Sequence, residues 1–252
     1  MIYFLAVILL GLLFFLLGKT ADQVVEAVGK VCTLARVRVF FFGIILGLVT
    51  SLPEFSIALN SLVNNVPEVS LGNLMGSLMV VLGLVFGVSI ILNRSIKTDG
   101  KAHRIAPLLG YLFLPLLFAL DGVISRLDSA LLILWYVWIL YYLYSTHQAG
   151  RERKARPTTM SQKEFLFELF VMGLGMVSLL LLSNLIVQIS EILLVHFNIS
   201  GFFAGLVVFA IGTNLPEITV MLRSWKRNMK ELSMSHLMGS VIVDPLLIGI
   251  FG

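Results

Sequence analysis

Very little in this chain can carry charge or form a covalent bridge. Cys32 is its single cysteine, which excludes an intramolecular disulfide and any cysteine-based zinc or redox centre. Only 13% of the 252 residues are charged against 58% hydrophobic, and the mean hydropathy is +0.99, so a soluble globular domain is excluded. The four histidines form no H-E-x-x-H pair and no nucleophile–base arrangement is legible, so neither an enzyme nor a bound cofactor is expected. A basic n-region is missing ahead of the first apolar run, which makes residues 2–17 the start of a retained helix rather than a signal peptide. The formal excess of four positive charges falls in short joints between apolar runs, where it sets topology and implies no nucleic-acid partner. What is left is an all-α integral membrane protein whose surroundings are the lipid bilayer.

Eight apolar runs are expected to span, at about residues 2–28, 39–62, 69–92, 104–120, 127–144, 165–195, 202–225 and 232–252. The aromatic residues of the fifth (Trp135, Tyr136, Trp138, Tyr141, Tyr142) read as an interfacial belt and lipid face. Lys19 and Asp22, three apart in the first, read as a local charge pair. The joints after the first, third, fifth and seventh runs hold 16 of the 18 Lys and Arg, and the intervening joints only Arg126. Positive charge stays inside, so a multi-pass protein of the cell membrane with its N-terminus outside is expected. Residues 148–163 form a cytoplasmic basic linker between a first half, 1–147 with five helices, and a second, 164–252 with three.

Two stretches are one stretch written twice. Thr50-Ser51-Leu52-Pro53-Glu54 is followed by Gly72-Asn73-Leu74-Met75-Gly76-Ser77; Thr213-Asn214-Leu215-Pro216-Glu217 is followed by His236-Leu237-Met238-Gly239-Ser240 and Asp244. Each matched pair is 163 positions apart, so the copies align without a gap. The second copy lies five helices on from the first, an odd offset, so the two helices that carry the copies must cross in opposite directions. The repeat is inverted, the architecture of many secondary transporters with a site near the midplane.

A carboxylate beside a helix-breaking proline inside an apolar run is costly in lipid and marks an ion path. Pro53 and Pro216 lack an N–H and crowd the carbonyl four residues back, freeing the Val49 and Gly212 oxygens. With Thr50, Ser51 and Glu54 in one copy, and Thr213, Asn214 and Glu217 in the other, each break offers hard oxygen donors suited to sodium or calcium rather than zinc or copper. Ser240 and Asp244 are four apart on one helical face, while Gly72 with Gly76, and Ser235 with Gly239, form small faces that let backbones approach.

These motifs resemble the calcium/cation antiporter superfamily, and within it the prokaryotic sodium/calcium exchangers, whose two repeats carry G-T-S-L-P-E and G-N-x-x-G-S-N. The resemblance implies an inverted-repeat transporter fold, normally of ten helices where about eight are read here. It also implies a site in which Glu54, Glu217, Thr50 and Thr213 hold calcium while Ser51, Asn214, Ser77, Ser240 and Asp244 complete the cation ligands. The implied activity is antiport of calcium against sodium, with these transported ions as partners. The chain departs from the pattern at Val49, Leu78, Asn214, His236 and Val241, and at Val81, which stands where an oxygen ligand would mirror Asp244. One ligand fewer in the first repeat predicts weaker sodium coupling. Asp244, near two glutamates, is expected to be the protonated group when the site holds calcium and both glutamates are ionised, and His236 to be a packing residue. The eight-helix count predicts either a partner subunit or further C-terminal helices covering the last span. A calcium/proton exchanger, and a non-transporting cation sensor or structural membrane subunit, remain open alternatives.

Overall fold

The computed structural model describes residues 2–34, 45, 47–93, 102–147, 162–215, 217, 218, 222 and 230–251. The basic joints at 36–38, 94–101, 151–156 and 223–227, and Pro216, lie outside them, as do the side chains of Arg104 and His236. The described residues form helices α1 (Ile2–Leu34), α2 (Leu52–Val63), α3 (Pro67–Met79), α4 (Phe86–Asn93), α5 (Ala102–Phe118), α6 (Arg126–His147), α7 (Gln162–Phe197), α8 (Gly201–Ala204), α9 (Ala210–Thr213) and α10 (Lys230–Phe251), and contain no strand. Two widened π-helical segments join consecutive helices: Val80–Val85 between α3 and α4, and Gly205–Phe209 between α8 and α9.

Among the described residues, four apolar helices are long enough to cross a membrane: Tyr3–Val31, Pro67–Val88, Arg126–Ser145 and Lys163–Phe197. Shorter apolar helical stretches lie at Leu52–Val63, Ala106–Asp121 and Gly201–Thr213, and Gly239–Phe251 is the apolar part of α10. Two of them are short for the reason the prolines predict, because a break precedes Leu52 and follows Thr213. The first helix runs six residues beyond the expected end at 28, so Lys30 sits on it. There its ammonium bridges Glu26 (3.1 Å) and Glu168 of α7 (2.8 Å), which together offset the charge beside the apolar stem.

Local chemistry explains the boundaries. Pro67 opens α3 at a position where a missing N–H costs nothing, after a turn in which Asn65 takes φ 58°. Ser125 and Asp128 cap α6 reciprocally: the Ser125 N–H donates to Asp128 Oδ2 (2.8 Å) and the Asp128 N–H to Ser125 Oγ (3.3 Å). Ser200 caps α8 by accepting from the Phe203 N–H.

Two apolar clusters flank the middle of the molecule. One gathers residues of α1, α2, α7 and the 204–209 segment around Leu17, Ile57, Leu179, Ile186 and Phe209. The other gathers α3, α5, α6 and α10 around Leu74, Leu78, Tyr111, Leu132, Ile139 and Ile248. Tyr136 belongs to this second cluster, which corrects its place in the aromatic belt: with Leu132 and Ile139 it forms the buried stripe of α6, while Trp135, Trp138 and Tyr141 are exposed. Lys19 lies with its Nζ 5.7 Å from the centroid of the Phe15 ring.

Candidate cation-binding site

The two breaks have one geometry. Ser51 sits at φ −86°, ψ 10° and Asn214 at φ −86°, ψ 11°, the bridge region where a helix is interrupted without reversing direction. Around each, the same bonds recur at the 163-residue offset. The Thr50 and Ser51 hydroxyls donate to the Gly47 carbonyl at 3.0 and 3.2 Å. Asn214 Nδ2 donates to the Ala210 carbonyl at 2.7 Å, and Thr213 Oγ1 lies 3.4 Å from that same oxygen.

Each break packs on the partner helix of the other copy. A Cβ added to Gly76 would collide with the Leu206 carbonyl and lie 2.6 Å from the Ala210 Cβ; a Cβ on Gly47 would lie 2.6 Å from the Gly239 carbonyl. The two crossings are the same one under the offset, since 47 corresponds to 210 and 76 to 239. Gly72 likewise meets the Phe202 carbonyl, so the small face read at Gly72 and Gly76 is the surface against which the second break lies.

That crossing joins side chains from both copies. Asn214 Nδ2 donates to Ser77 Oγ (3.0 Å), and Ser77 Oγ donates to Asp244 Oδ2 (3.2 Å). Thr213 Oγ1 lies 3.3 Å from Asn73 Oδ1. Glu54 interacts electrostatically with Glu217 and Asp244, and Glu217 with Asp244 and with Asp22 of α1. Thr50, Ser51, Glu54, Ser77, Thr213, Asn214, Glu217, Ser240 and Asp244 are all at most 4% exposed, withdrawn from lipid and water alike. Asn73 was not singled out as a ligand from sequence, although it stands in the repeated motif one turn before Ser77.

Both carboxylate oxygens of Glu54, and Oε2 of Glu217, are buried with no hydrogen-bond partner among the described residues. Among the described residues no basic side chain enters the electrostatics of either glutamate. A buried carboxylate so placed is tolerated only when it takes up a proton or is met by a neutralising charge, and hard oxygen donors around it suit an alkali or alkaline-earth cation. Among the described residues no three His, Cys, Asp or Glu side chains close into a tight metal cage, so hydroxyl, amide and carbonyl oxygens would have to complete any coordination.

The sodium/calcium exchanger protein family matches residues 5–145 and 167–252, a stretch that takes in both breaks and both partner helices. The chain belongs to this exchanger family. It is a transporter fold, not an enzyme. Among its relatives, the uncharacterized membrane protein MJ0091 of Methanocaldococcus jannaschii is 26% identical over 94% of this chain and 79% of its own length. The putative antiporter CaxA of Alkalimonas amylolytica is 26% identical over 96% of this chain and 77% of its own. Of solved structures, the sodium-calcium exchanger NCX_Mj is 26% identical, with a TM-score of 0.57 over 99% of this chain and 83% of that one. The H+/Ca2+ exchanger CAX superimposes with a TM-score of 0.75 at 18% identity; the chain spans 66% of its length, and the likeness is one of fold.

Proposed function

We propose that this exchanger-family protein is a secondary antiporter that moves calcium against sodium through a site formed by the two breaks. The observation that carries this reading is the pair of buried glutamates, one from each copy, three of whose four carboxylate oxygens find no hydrogen-bond partner and neither of which has a basic neighbour among the described residues. Glu54 and Glu217, with Thr50 and Thr213, take calcium. Ser51, Ser77, Asn214, Ser240 and Asp244 complete the set that sodium uses in turn. Two carboxylates match one divalent charge, and the same oxygens hold monovalent ions when calcium has left, which makes occupancy by the two ions mutually exclusive. Calcium flux in liposomes under sodium, potassium and proton gradients applied separately tests it. Sodium-driven calcium flux is expected; flux driven by none of the three would leave the sensor or structural-subunit reading.

A second reading, calcium/proton exchange, is favoured by Val81. It is 1% exposed within the apolar cluster and brings no oxygen to the position that mirrors Asp244. Restoring that oxygen with Val81→Asn is expected to lower the sodium concentration for half-maximal activation severalfold, about the worth of one added polar contact to an ion. An unchanged sodium activation curve would count against a sodium ligand at this position.

The orientation proposed, N-terminus outside in the cell membrane, rests on the Lys and Arg distribution. It puts the exposed turn after α5, which holds Asp121, on the outer face. In a Cys32→Ser background, Asp121→Cys is expected to react with a membrane-impermeant maleimide on intact cells. Labelling only after permeabilisation would reverse the assignment.

A further inference from the structure

We infer that the Tyr111 hydroxyl is a further specificity-determining group of this site: from α5 it supplies the oxygen that Val81 withholds from the first repeat, and it helps hold a monovalent coupling cation at Asp244. The inference rests on the antiport reading above and deepens it.

Tyr111 is fully buried, yet its hydroxyl has no hydrogen-bond partner among the described residues. A buried tyrosine ordinarily finds one, because an unpaired O–H forfeits its hydration; where only packing is needed, phenylalanine fills the same space. Its surroundings are otherwise apolar. It shares a cluster with Leu78, Val81, Val241 and Ile248, and its ring centroid is 6.5 Å from that of Tyr136. The helix that carries it packs against α3, α6 and α10, the first and last of which bear Ser77 and Asp244. Among the described residues, the Tyr136 phenol and, after it, the Asp244 carboxylate are the ionisable groups within electrostatic reach of the Tyr111 phenol.

One oxygen of Asp244 already accepts from Ser77. A small cation or a water-bridged one between Asp244 and the phenol would thus be met by a carboxylate, a serine hydroxyl and a neutral phenol oxygen. A neutral oxygen adds to the solvation of the ion without changing the charge balance. It therefore tunes monovalent binding and leaves calcium, whose charge is met by the two glutamates, nearly unaffected. Neither repeat motif contains Tyr111, and the position 163 residues on, 274, exceeds the 252 residues of the chain, so the repeat gives no signal for it.

Tyr111→Phe removes only the oxygen. In reconstituted full-length protein, the half-maximal sodium for driving calcium flux is expected to rise roughly tenfold, the scale of one lost contact to a charge, with the half-saturating calcium and the melting temperature unchanged. Potassium titrations run in parallel identify which monovalent ion is affected. Adding Val81→Asn to Tyr111→Phe is expected to restore the sodium response, because it returns an oxygen from the other wall. A raised melting temperature with unaltered sodium activation would overturn the inference, and so would failure of Val81→Asn to rescue. Wild-type protein without monovalent-driven flux would defeat the antiport reading itself; wild-type exchange with an indifferent Tyr111→Phe defeats this inference alone.

Discussion

Replacing either Glu54 or Glu217 by glutamine is expected to abolish calcium transport while the protein still folds and melts as wild type does. The amide keeps the shape and removes one of the two charges proposed to balance the ion. At an effective dielectric of about 20, a unit charge lost some 4 Å from another is worth about 4 kcal/mol, and a divalent ion loses more. That is roughly three orders of magnitude in affinity. Stability is spared for a structural reason: among the described residues the Glu54 oxygens make no hydrogen bond that an amide could break, and a buried charge is removed. Calcium flux in liposomes and a melting curve on the same preparation check both halves. Wild-type-like flux in both variants would sink the site.

The second large effect concerns packing. Gly76→Val is expected to lower the melting temperature and transport together, because the new side chain meets the Leu206 carbonyl and the Ala210 Cβ, backbone and short side chain that have nowhere to go. Overpacking of this kind costs on the order of 1–3 kcal/mol, and the contact with main chain puts it at the upper end. Transport falls because this crossing sets Ser77 within reach of Asn214 and Asp244; parting the helices breaks the chain of hydrogen bonds that links the copies through the carboxylate. Gly87→Ala is the control, since nothing lies within 4 Å of its added Cβ, and it is expected to behave as wild type. A Gly76→Val protein as stable and active as the control would show that the close approach is not needed.

Much of the fold and of the proposed site was legible in the sequence because the physics that writes them is local or periodic. Hydropathy sets the spans, since an apolar run of that length has one comfortable environment. A proline one residue before a glutamate announces a break wherever the chain folds, and the gapless 163-residue offset announces that there are two of the same kind; the matching dihedrals of Ser51 and Asn214 follow from that identity. The Gly72 and Gly76 face was readable because only small residues at four-residue spacing permit backbone contact.

Other features depend on which elements meet, and no spacing along the chain encodes that. Ser77 contacts Asp244 across 167 residues, and Thr213 faces Asn73 across 140. Tyr136 turns inward because α5 and α10 cover that side of α6, whereas its aromatic neighbours, chemically similar and one or two positions away, stay exposed. Asp22 reads as a partner of Lys19 by spacing, yet the way α1 packs brings it within electrostatic reach of Glu217. The π-helical turns at 80–85 and 205–209 also escape a 3.6-residue pattern, since one extra residue per turn shifts the helical face without altering composition. Residue types and local backbone were thus decided by the sequence itself. Which carboxylates and hydroxyls meet at the buried crossing was decided only by tertiary packing, because burial and charge act through distance in space and not along the chain.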